Sequence, residues 1–267
     1  MNKDYSVQVL ISTMNQQDHS LLSKMNINSD AVVVNQCHQD SLEEFDYNGY
    51  KIKWINMSAR GVGLSRNTAL CFSSADIVLF TDDDVIYNDD YAQNVLKAFE
   101  QNKKADVICF DIDLVGSTKN FGFRKNKKKK KLSLFNSMRY GGCRIAARRK
   151  SLLRERISFS LLFGGGAELS SGEDSLFIRD CFKRKLKLYA DTYTLGEVYD
   201  GESTWFTGIN DKLFIDKGAF LYSAFPKLYR LLFIYYAYRM KDMSEHYSIR
   251  KIMILFDKGK KFMKVYR

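Results

Sequence analysis

Short, continuously apolar runs alternate with stretches of helical spacing across the first half of the chain, and this alternation narrows the fold more than any other feature. Tyr5–Thr13, Ala31–Asn35, Tyr50–Met57, Asp76–Thr81 and Asp106–Asp111 read as strands. Within them the VVV and IVLF runs have no polar face, as expected of strands covered on both sides. Leu64–Ser74 and Tyr91–Gln101 carry helical spacing, the second with Val95, Leu96 and Phe99 on one side. Repeated βαβ units predict an α/β fold, a doubly wound and mainly parallel sheet flanked by helices. Such sheets bind ligands at the carboxyl ends of their strands.

The second half is less regular. Arg124–Lys131 is a charge run that predicts a mobile loop. Gly164–Gly166 reads as a glycine turn, Ser170–Gly172 as a cap, and Glu173–Lys185 as a helix. Leu186–Val198 looks extended. After Pro226, the only proline, the pattern turns helical and aromatic. Leu231–Ala237 is apolar throughout but bounded by Arg230 and Arg239, far short of the ~20 residues a spanning helix needs. An interfacial helix fits better, and the other reading is a helix packed on the main domain or on a second subunit in a homodimer.

Composition sets the remaining bounds. With 267 residues and 14% aromatics, the chain has ample material for a core, which excludes disorder as its main state. Its five cysteines are odd in number and form no CxxC pair, pointing to a reducing compartment. The N-terminus runs straight into a strand without a signal core, which predicts a cytoplasmic protein. Charge is uneven: the net is +11, with 13 Lys/Arg and no acid between Arg124 and Arg154. From Lys227 to Arg267 there are 11 basic residues against three acidic ones, so the remainder is acidic, at −10. An acidic body with two basic zones points to a polyanionic partner, either nucleic acid or an anionic membrane surface.

Three elements carry chemistry. Asp82-Asp83-Asp84 follows directly on the strand DIVLFT; three adjacent carboxylates repel unless a cation or hydrogen-bond donors compensate. Hard divalent ions take such oxygens and share them with substrate phosphates. A solvated turn with a cap is the plainer reading of the same residues. Upstream, Arg60–Leu70 (RGVGLSRNTAL) combines glycines that permit close backbone approach with Arg66 and Asn67 at a helix start. Downstream, Gly172-Glu173-Asp174 places carboxylates in a helix's first turn, as caps or as a general base.

Taken in order, these elements resemble the family 2 glycosyltransferases of the GT-A fold. That family shows an opening strand with a Ser/Thr-x-Asn end, a G-x-x-x-A-R-N-like element, a D-x-D-type motif and an E-D motif opening a later helix. The counterparts are Ser12–Asn15, Gly61–Asn67, Asp82–Asp84 and Glu173-Asp174. FGGGAELSSGEDSLFIRDC, followed by ESTWF, is similar to bacterial enzymes that build capsular, O-antigen and other surface polysaccharides. The resemblance covers about residues 5–222 and divides the chain into a catalytic domain over 1–224 and basic, aromatic helices over 225–267. Within the first, about 1–115 would bind the donor and about 116–224 the acceptor.

The resemblance implies an inverting, metal-dependent hexosyltransferase. It would move a sugar from a nucleotide-sugar, taken as a UDP-sugar, to a hydroxyl of a glycan or lipid-linked acceptor at the inner face of a bacterial membrane. Ser12, Thr13, Asn15, Asn35, Arg60, Arg66, Asn67, Asp82 and Asp83 would line the donor nucleotide site. Asp84, with Asp82, would hold Mn²⁺ or Mg²⁺. Asp174 would be the base and Glu173 its helper, with Gly165, Gly166 and Trp205 shaping the acceptor side and Lys127–Lys131 meeting headgroups or the acceptor's diphosphate. Relatives often read uracil with an acidic residue after the second strand; Asn35-Gln36 stands there, and an amide also pairs with a base edge. Many supply a late histidine to the metal. Of His19, His38 and His246 none follows the E-D helix at a suitable distance, so Asp200, Glu202 or solvent ligands would substitute, and His19 and His38 read as surface residues. Two other functions use similar features. A nucleotidyltransferase predicts pyrophosphate release but lacks the usual glycine-rich, lysine-containing loop. A nucleic-acid-binding protein predicts strongly salt-dependent affinity through the basic zones.

Overall fold

Side chains alternate across the first strand, β1 (Val7–Met14): Val9 and Ile11 enter one apolar cluster and Leu10 another. Both faces of the sheet are therefore covered, which is why these runs lack a polar face. The computed structural model describes residues 5–116, 124–199, 208–243 and 246–266. After β1 come α1 (Leu21–Lys24), β2 (Asp30–Gln36), β3 (Ser41–Tyr47), β4 (Tyr50–Met57), α2 (Val62–Phe72), β5 (Ile77–Asp82) and β6 (Val85–Tyr87). Next are α3 (Tyr91–Gln101), β7 (Val107–Val115), β8 (Lys130–Lys131), α4 (Leu134–Ser137), β9 (Ile145–Arg148), α5 (Arg149–Arg154), α6 (Glu173–Lys183) and β10 (Leu188–Tyr199). Three helices close the chain: α7 (Asp211–Ala224), α8 (Tyr229–Met240) and α9 (Ile249–Val265).

The strands form one sheet in the order β3-β4-β2-β1-β5-β9-β7-β10-β6, with β8 on β10. β4, β2, β1 and β5 run parallel, as do β7 and β10, while β9 runs antiparallel between β5 and β7. The carboxyl ends of β1, β2, β5, β7 and β10 therefore share one side. α1 and α3 cover one face through Leu21, Leu22, Val95 and Phe99. On the other face lie α2, α5 and α6, through Leu70, Leu152, Phe177 and Ile178. This is the expected mainly parallel sheet flanked by helices, with C-terminal helical elements.

Two parts differ from the sequence reading. Ser41–Tyr47 forms an exposed antiparallel edge strand joined to β4 by an Asn48-Gly49 turn with φ of 50° and 85°. Its acidic residues mask the strand pattern, although Asn-Gly is itself a hairpin signal. The lysine run is anchored by Asn126, which is buried among exposed lysines. Its backbone N–H donates to Asp111 (2.7 Å), its amide donates to the Asp191 carbonyl (2.7 Å), and its Oδ1 accepts from the Tyr140 hydroxyl (2.5 Å). His19 is the partly exposed surface residue expected, and it also stacks on Phe45 (4.4 Å between centroids) and packs against Trp54 at the β3–β4 hairpin.

The last three helices pack on one another through Phe214, Leu221, Phe233, Ile252, Leu255 and Phe256. At the crossing of α7 and α9, backbones touch. A Cβ on Gly218 would lie 2.3 Å from the Phe256 carbonyl oxygen, and one on Gly259 would lie 2.0 Å from that of Ile215. No side chain fits there, so the helices must separate if either glycine is replaced. Gly259→Val is expected to cost roughly 3 kcal/mol by overpacking. Hydrogen exchange of the mutant should show lost protection in α7 and α9, and unchanged protection there would contradict this account of the crossing.

Candidate active site

Three carboxyl strand ends and two helix starts build a cleft of about 350 Å³, lined by Ser12, Thr13, Asn15, Arg66, Asp82, Asp83, Gly165 and Glu173, together with Met14, Gln36 and Val62. Asn15 turns the chain off β1 in the left-handed region (φ 53°), a conformation asparagine tolerates. The entry to α2 is tied to the glycine turn by the Val62 N–H donating to the Gly165 carbonyl at 2.8 Å. Ser65 donates to Ser12 at 2.9 Å, fixing α2 against β1.

Arg66 stands at the centre. Its side chain is 2% exposed, and its guanidinium meets Asp82 at 2.8 Å, Asp174 at 2.7 Å and Glu173 at 3.4 Å. One buried cation thus joins the acidic triplet after β5 to the acidic pair opening α6. Burial alone would lower its pKa, but Asp82, Asp174 and Glu173 together hold it above its ordinary value. The arginine fits only because Gly142 has no side chain: a Cβ there would lie 2.6 Å from the guanidinium carbon. The Phe159 ring packs 5.1 Å from that carbon. Gly142 is a packing position of the candidate site that the sequence reading missed. Its signal was the Gly141-Gly142 pair following an aromatic residue.

Negative charge remains in excess. Five carboxylates, Asp82, Asp83, Asp84, Glu173 and Asp174, gather round this one guanidinium, with Asp83 accepting from the Thr13 hydroxyl at 2.5 Å. Asp84 reaches solvent, yet the protein crowded round it, with the charges of Asp82 and Asp83, pushes its pKa up to about 6. Burial and then Asp174 push Glu173 up to about 7, although Arg66 opposes them. Asp174 is also raised, by burial first, against the pull of Arg66.

Among the described residues, no group of three or more His, Cys, Asp or Glu is arranged to hold a metal by itself. The acidic excess at Asp82–Asp84 nevertheless suits an open Mg²⁺ or Mn²⁺ site, which takes one or two carboxylates and completes its shell with phosphate oxygens and water.

Several predicted residues sit elsewhere. Asn67 uses both ends of its amide on the Phe159 backbone (2.9 and 2.8 Å), holding α2 to that segment. Asn35 is buried and fully bonded to Gln16 and Asn56, so its amide supports the loop after β1. Gln36 lines the cleft but accepts from the Gly61 N–H at 2.6 Å. Arg60 lies at the rim, donating to the Gln36 carbonyl and to Asn15. Gly166 adjoins the lining residue Gly165, with φ of 77°. Trp205, Asp200 and Glu202 lie outside the described residues. Lys130 and Lys131 pair with Ala190 and Tyr189 at the amino end of β10, whereas Val85 pairs with Val198. The lysines are thus at the opposite end of the sheet from Asp84, roughly 20 Å away by the rise of the paired β7 residues Ile108 to Leu114, and do not reach a diphosphate in the cleft.

A mainly parallel sheet with acidic groups at its carboxyl ends and a nucleotide-sized cleft beside them defines a GT-A-like protein. The sequence profile of glycosyl transferase family 2 matches residues 19–157. That is more than half of the chain, which belongs to this family. Residues 1–349 of S. aureus TarS in complex with UDP-GlcNAc superpose with a TM-score of 0.61 at 16% identity, over 82% of this chain and 66% of that one. The same TarS fragment with UDP gives 0.59 at 16% identity, over 82% and 65%. The mannosyltransferase PcManGT from Pyrobaculum calidifontis, in complex with GDP-Man and Mn²⁺, gives 0.50 at 15% identity, over 86% and 65%. The chain thus spans about two thirds of the length of these structures, and identities so low establish the fold alone. No curated protein sequence matches the chain.

Two outcomes follow from the charge balance. Removing the one central cation in Arg66→Met leaves buried carboxylates unpaired and is expected to cost roughly 3–5 kcal/mol in urea unfolding. A change below about 1 kcal/mol would show that the carboxylates do not depend on it. Asp84, Glu173 and Asp174 all have folded pKa values above their ordinary ones, so the folded state holds protons that the unfolded chain has released. Stability from this source is full at low pH and is lost as pH rises through the folded values. Without divalent cations, Tm should therefore fall between about pH 5 and pH 8, and Asp84→Asn should flatten the fall. A Tm rising over that window would contradict the assignment.

Proposed function

We propose that the chain transfers a hexose from a nucleotide-sugar, with UDP the first nucleotide to test, to a hydroxyl of a glycan or lipid-linked acceptor in bacterial surface-polysaccharide synthesis. The observation that carries this reading is Arg66, which bonds at once to Asp82 beside the cleft and to Asp174 at the start of α6. Family membership favours glycosyl transfer over nucleotidyl transfer or nucleic-acid binding. Such transfer needs a donor site and a proton acceptor held together, and one guanidinium spans both.

In this reading Ser12, Thr13, Asn15 and Arg60 approach the nucleotide from the β1 side, and Asp82 and Asp83 approach from β5. Gly165 and Gly166 border the acceptor side. Asp84 and Asp82 would hold Mn²⁺ or Mg²⁺. When bound, the ion neutralises charge on the departing diphosphate. Asp174 accepts the proton of the acceptor hydroxyl as that oxygen bonds to the anomeric carbon. The bond from that carbon to the diphosphate breaks on the opposite face, inverting the centre. Arg66 holds Oδ1 of Asp174, and we assign the proton to Oδ2, which lies beside Gly141. A raised carboxylate pKa suits a base working near neutral pH. Glu173 orients the pair by accepting from the Gly172 N–H at 3.0 Å. No described helix is long and apolar enough to cross a membrane. A lipid-linked acceptor would place this work at the inner membrane face, where peripheral attachment fits the basic, aromatic C-terminal helices.

Calorimetry with UDP, GDP and CDP, each with and without Mn²⁺, tests the donor site. Metal-dependent binding of one nucleotide, lost in Asp84→Asn, is the expected result; no binding by folded wild type would remove the role given to the triplet. Asp174→Asn should keep nucleotide binding and lower kcat by roughly 10²–10⁴-fold. Normal turnover by that variant would reassign the base.

A further inference from the structure

One helix carries an apolar face that no described residue covers. The buried side of α8, with Phe233 and Ala237, packs into the C-terminal bundle. On its other side Leu231 is 67% exposed, Ile234 60% and Tyr238 62%, and Leu228 and Tyr235 are exposed beside them. Spacings of three and four residues put these five on one stripe. Other large exposed apolar residues of the described chain are more scattered, whereas these fall within eleven consecutive positions. Such concentration marks a binding surface.

The rim tells what binds. Lys227, Arg230, Arg239 and Lys241 flank the stripe, with no acidic residue between Lys227 and Lys241. Arg239 donates to the Tyr235 hydroxyl at 3.2 Å, and the Lys241 ammonium sits 4.5 Å from the Tyr238 ring centroid, so cations and aromatic rings share one layer. Tyrosine rings with basic neighbours and aliphatic tips match a headgroup boundary, where rings sit among polar groups and the cations meet phosphates. A second copy of the chain would instead bring like charges face to face.

Position supports the same partner. The bundle hangs from the segment bordering the cleft: the Ser170 N–H donates to Asp216 of α7 at 2.9 Å, and Lys212 donates to the Glu168 carbonyl at 2.5 Å. That segment runs from Gly165, which lines the cleft, to Glu173. The lysines of β8, by contrast, lie at the far end of the sheet.

We infer that the Leu228–Tyr238 stripe of α8 is a docking surface for an anionic lipid bilayer, with Leu231 and Ile234 inserted among acyl chains and Arg230 and Arg239 on lipid phosphates. This deepens the reading of a lipid-linked acceptor given above and assigns attachment to one helix face.

The test is sedimentation of the 267-residue chain with vesicles of phosphatidylcholine alone or with about 30% phosphatidylglycerol. Wild type should bind the anionic vesicles at least about tenfold more tightly, and both Leu231→Asp/Ile234→Asp and Arg230→Glu/Arg239→Glu should lose about tenfold or more. Lys130→Glu/Lys131→Glu should keep most of the binding. All four altered side chains of α8 are exposed, and far-ultraviolet circular dichroism checks that the variants fold. Tyr238→Trp should show blue-shifted emission on the anionic vesicles, a shift that adsorption by surface charge alone would not produce. Binding lost only in the Lys130/Lys131 variant, or an unshifted tryptophan, overturns the proposal. So does a wild-type dimer in ultracentrifugation that Leu231→Asp/Ile234→Asp dissociates. Nucleotide calorimetry on the same variants keeps the two readings apart, because loss of lipid binding should leave donor binding intact.

Discussion

A guanidinium placed among carboxylates in a nearly water-free position sets the terms for the rest of this structure. Arg66 is buried and its carboxylate partners are half-buried, so its charge is tolerable only with Asp82, Asp174 and Glu173 within reach. The converse also holds: the carboxylates stay ionisable at such proximity because the arginine is there. Gly142 must lack a side chain to admit it, Ser65 must lock α2 onto β1, and Asn67 must hold α2 to the Phe159 segment. The polar residues of α2 thus support one ion in one place. Removing it would break the joint between the two halves of the site.

A second buried pair plays the matching part further along the sheet. Arg144 bonds to Asp111 at 2.5 Å and to the Phe110 carbonyl at 2.8 Å, while Asp111 also accepts from Asn126. The pair anchors Asn126, at the head of the lysine run, and the turn that carries Gly142 against β7. The position of the glycine that admits Arg66 therefore rests partly on an ion pair outside the cleft. Both networks run between sequence-distant segments, and both lie next to β9, whose antiparallel insertion between β5 and β7 brings them together.

Much of the frame is legible in the sequence because burial on two faces leaves a plain mark. Continuous apolar runs such as VVV and IVLF have no other ready explanation in a chain of this composition, and the helices between them carry ordinary spacing. Residues that line the cleft were legible where they stood at strand ends or helix starts, as with Thr13, Asp82, Asp83 and Glu173. Asn35 and Asn67 looked equivalent to them in sequence, yet their amides complete buried backbone hydrogen bonds. An amide that pairs with a base edge and one that pairs with a peptide have the same chemistry, so residue type cannot separate them. Ser41–Tyr47 was hidden for another reason: an exposed edge strand is free to be acidic.

By itself, the sequence determined the class of sheet, the end of it that carries the candidate site, and the acidic character of that end, since these follow from local periodicity and from residues adjacent in the chain. It also determined that the C-terminal segment would be both basic and aromatic. Tertiary structure alone decided that Arg66 joins two acidic motifs about 90 residues apart and that the β8 lysines lie away from the cleft. It also decided which side of α8 is covered and which faces out. Each of these depends on which distant segments the sheet order makes neighbours, and packing across a sheet leaves no periodic trace in the chain that forms it.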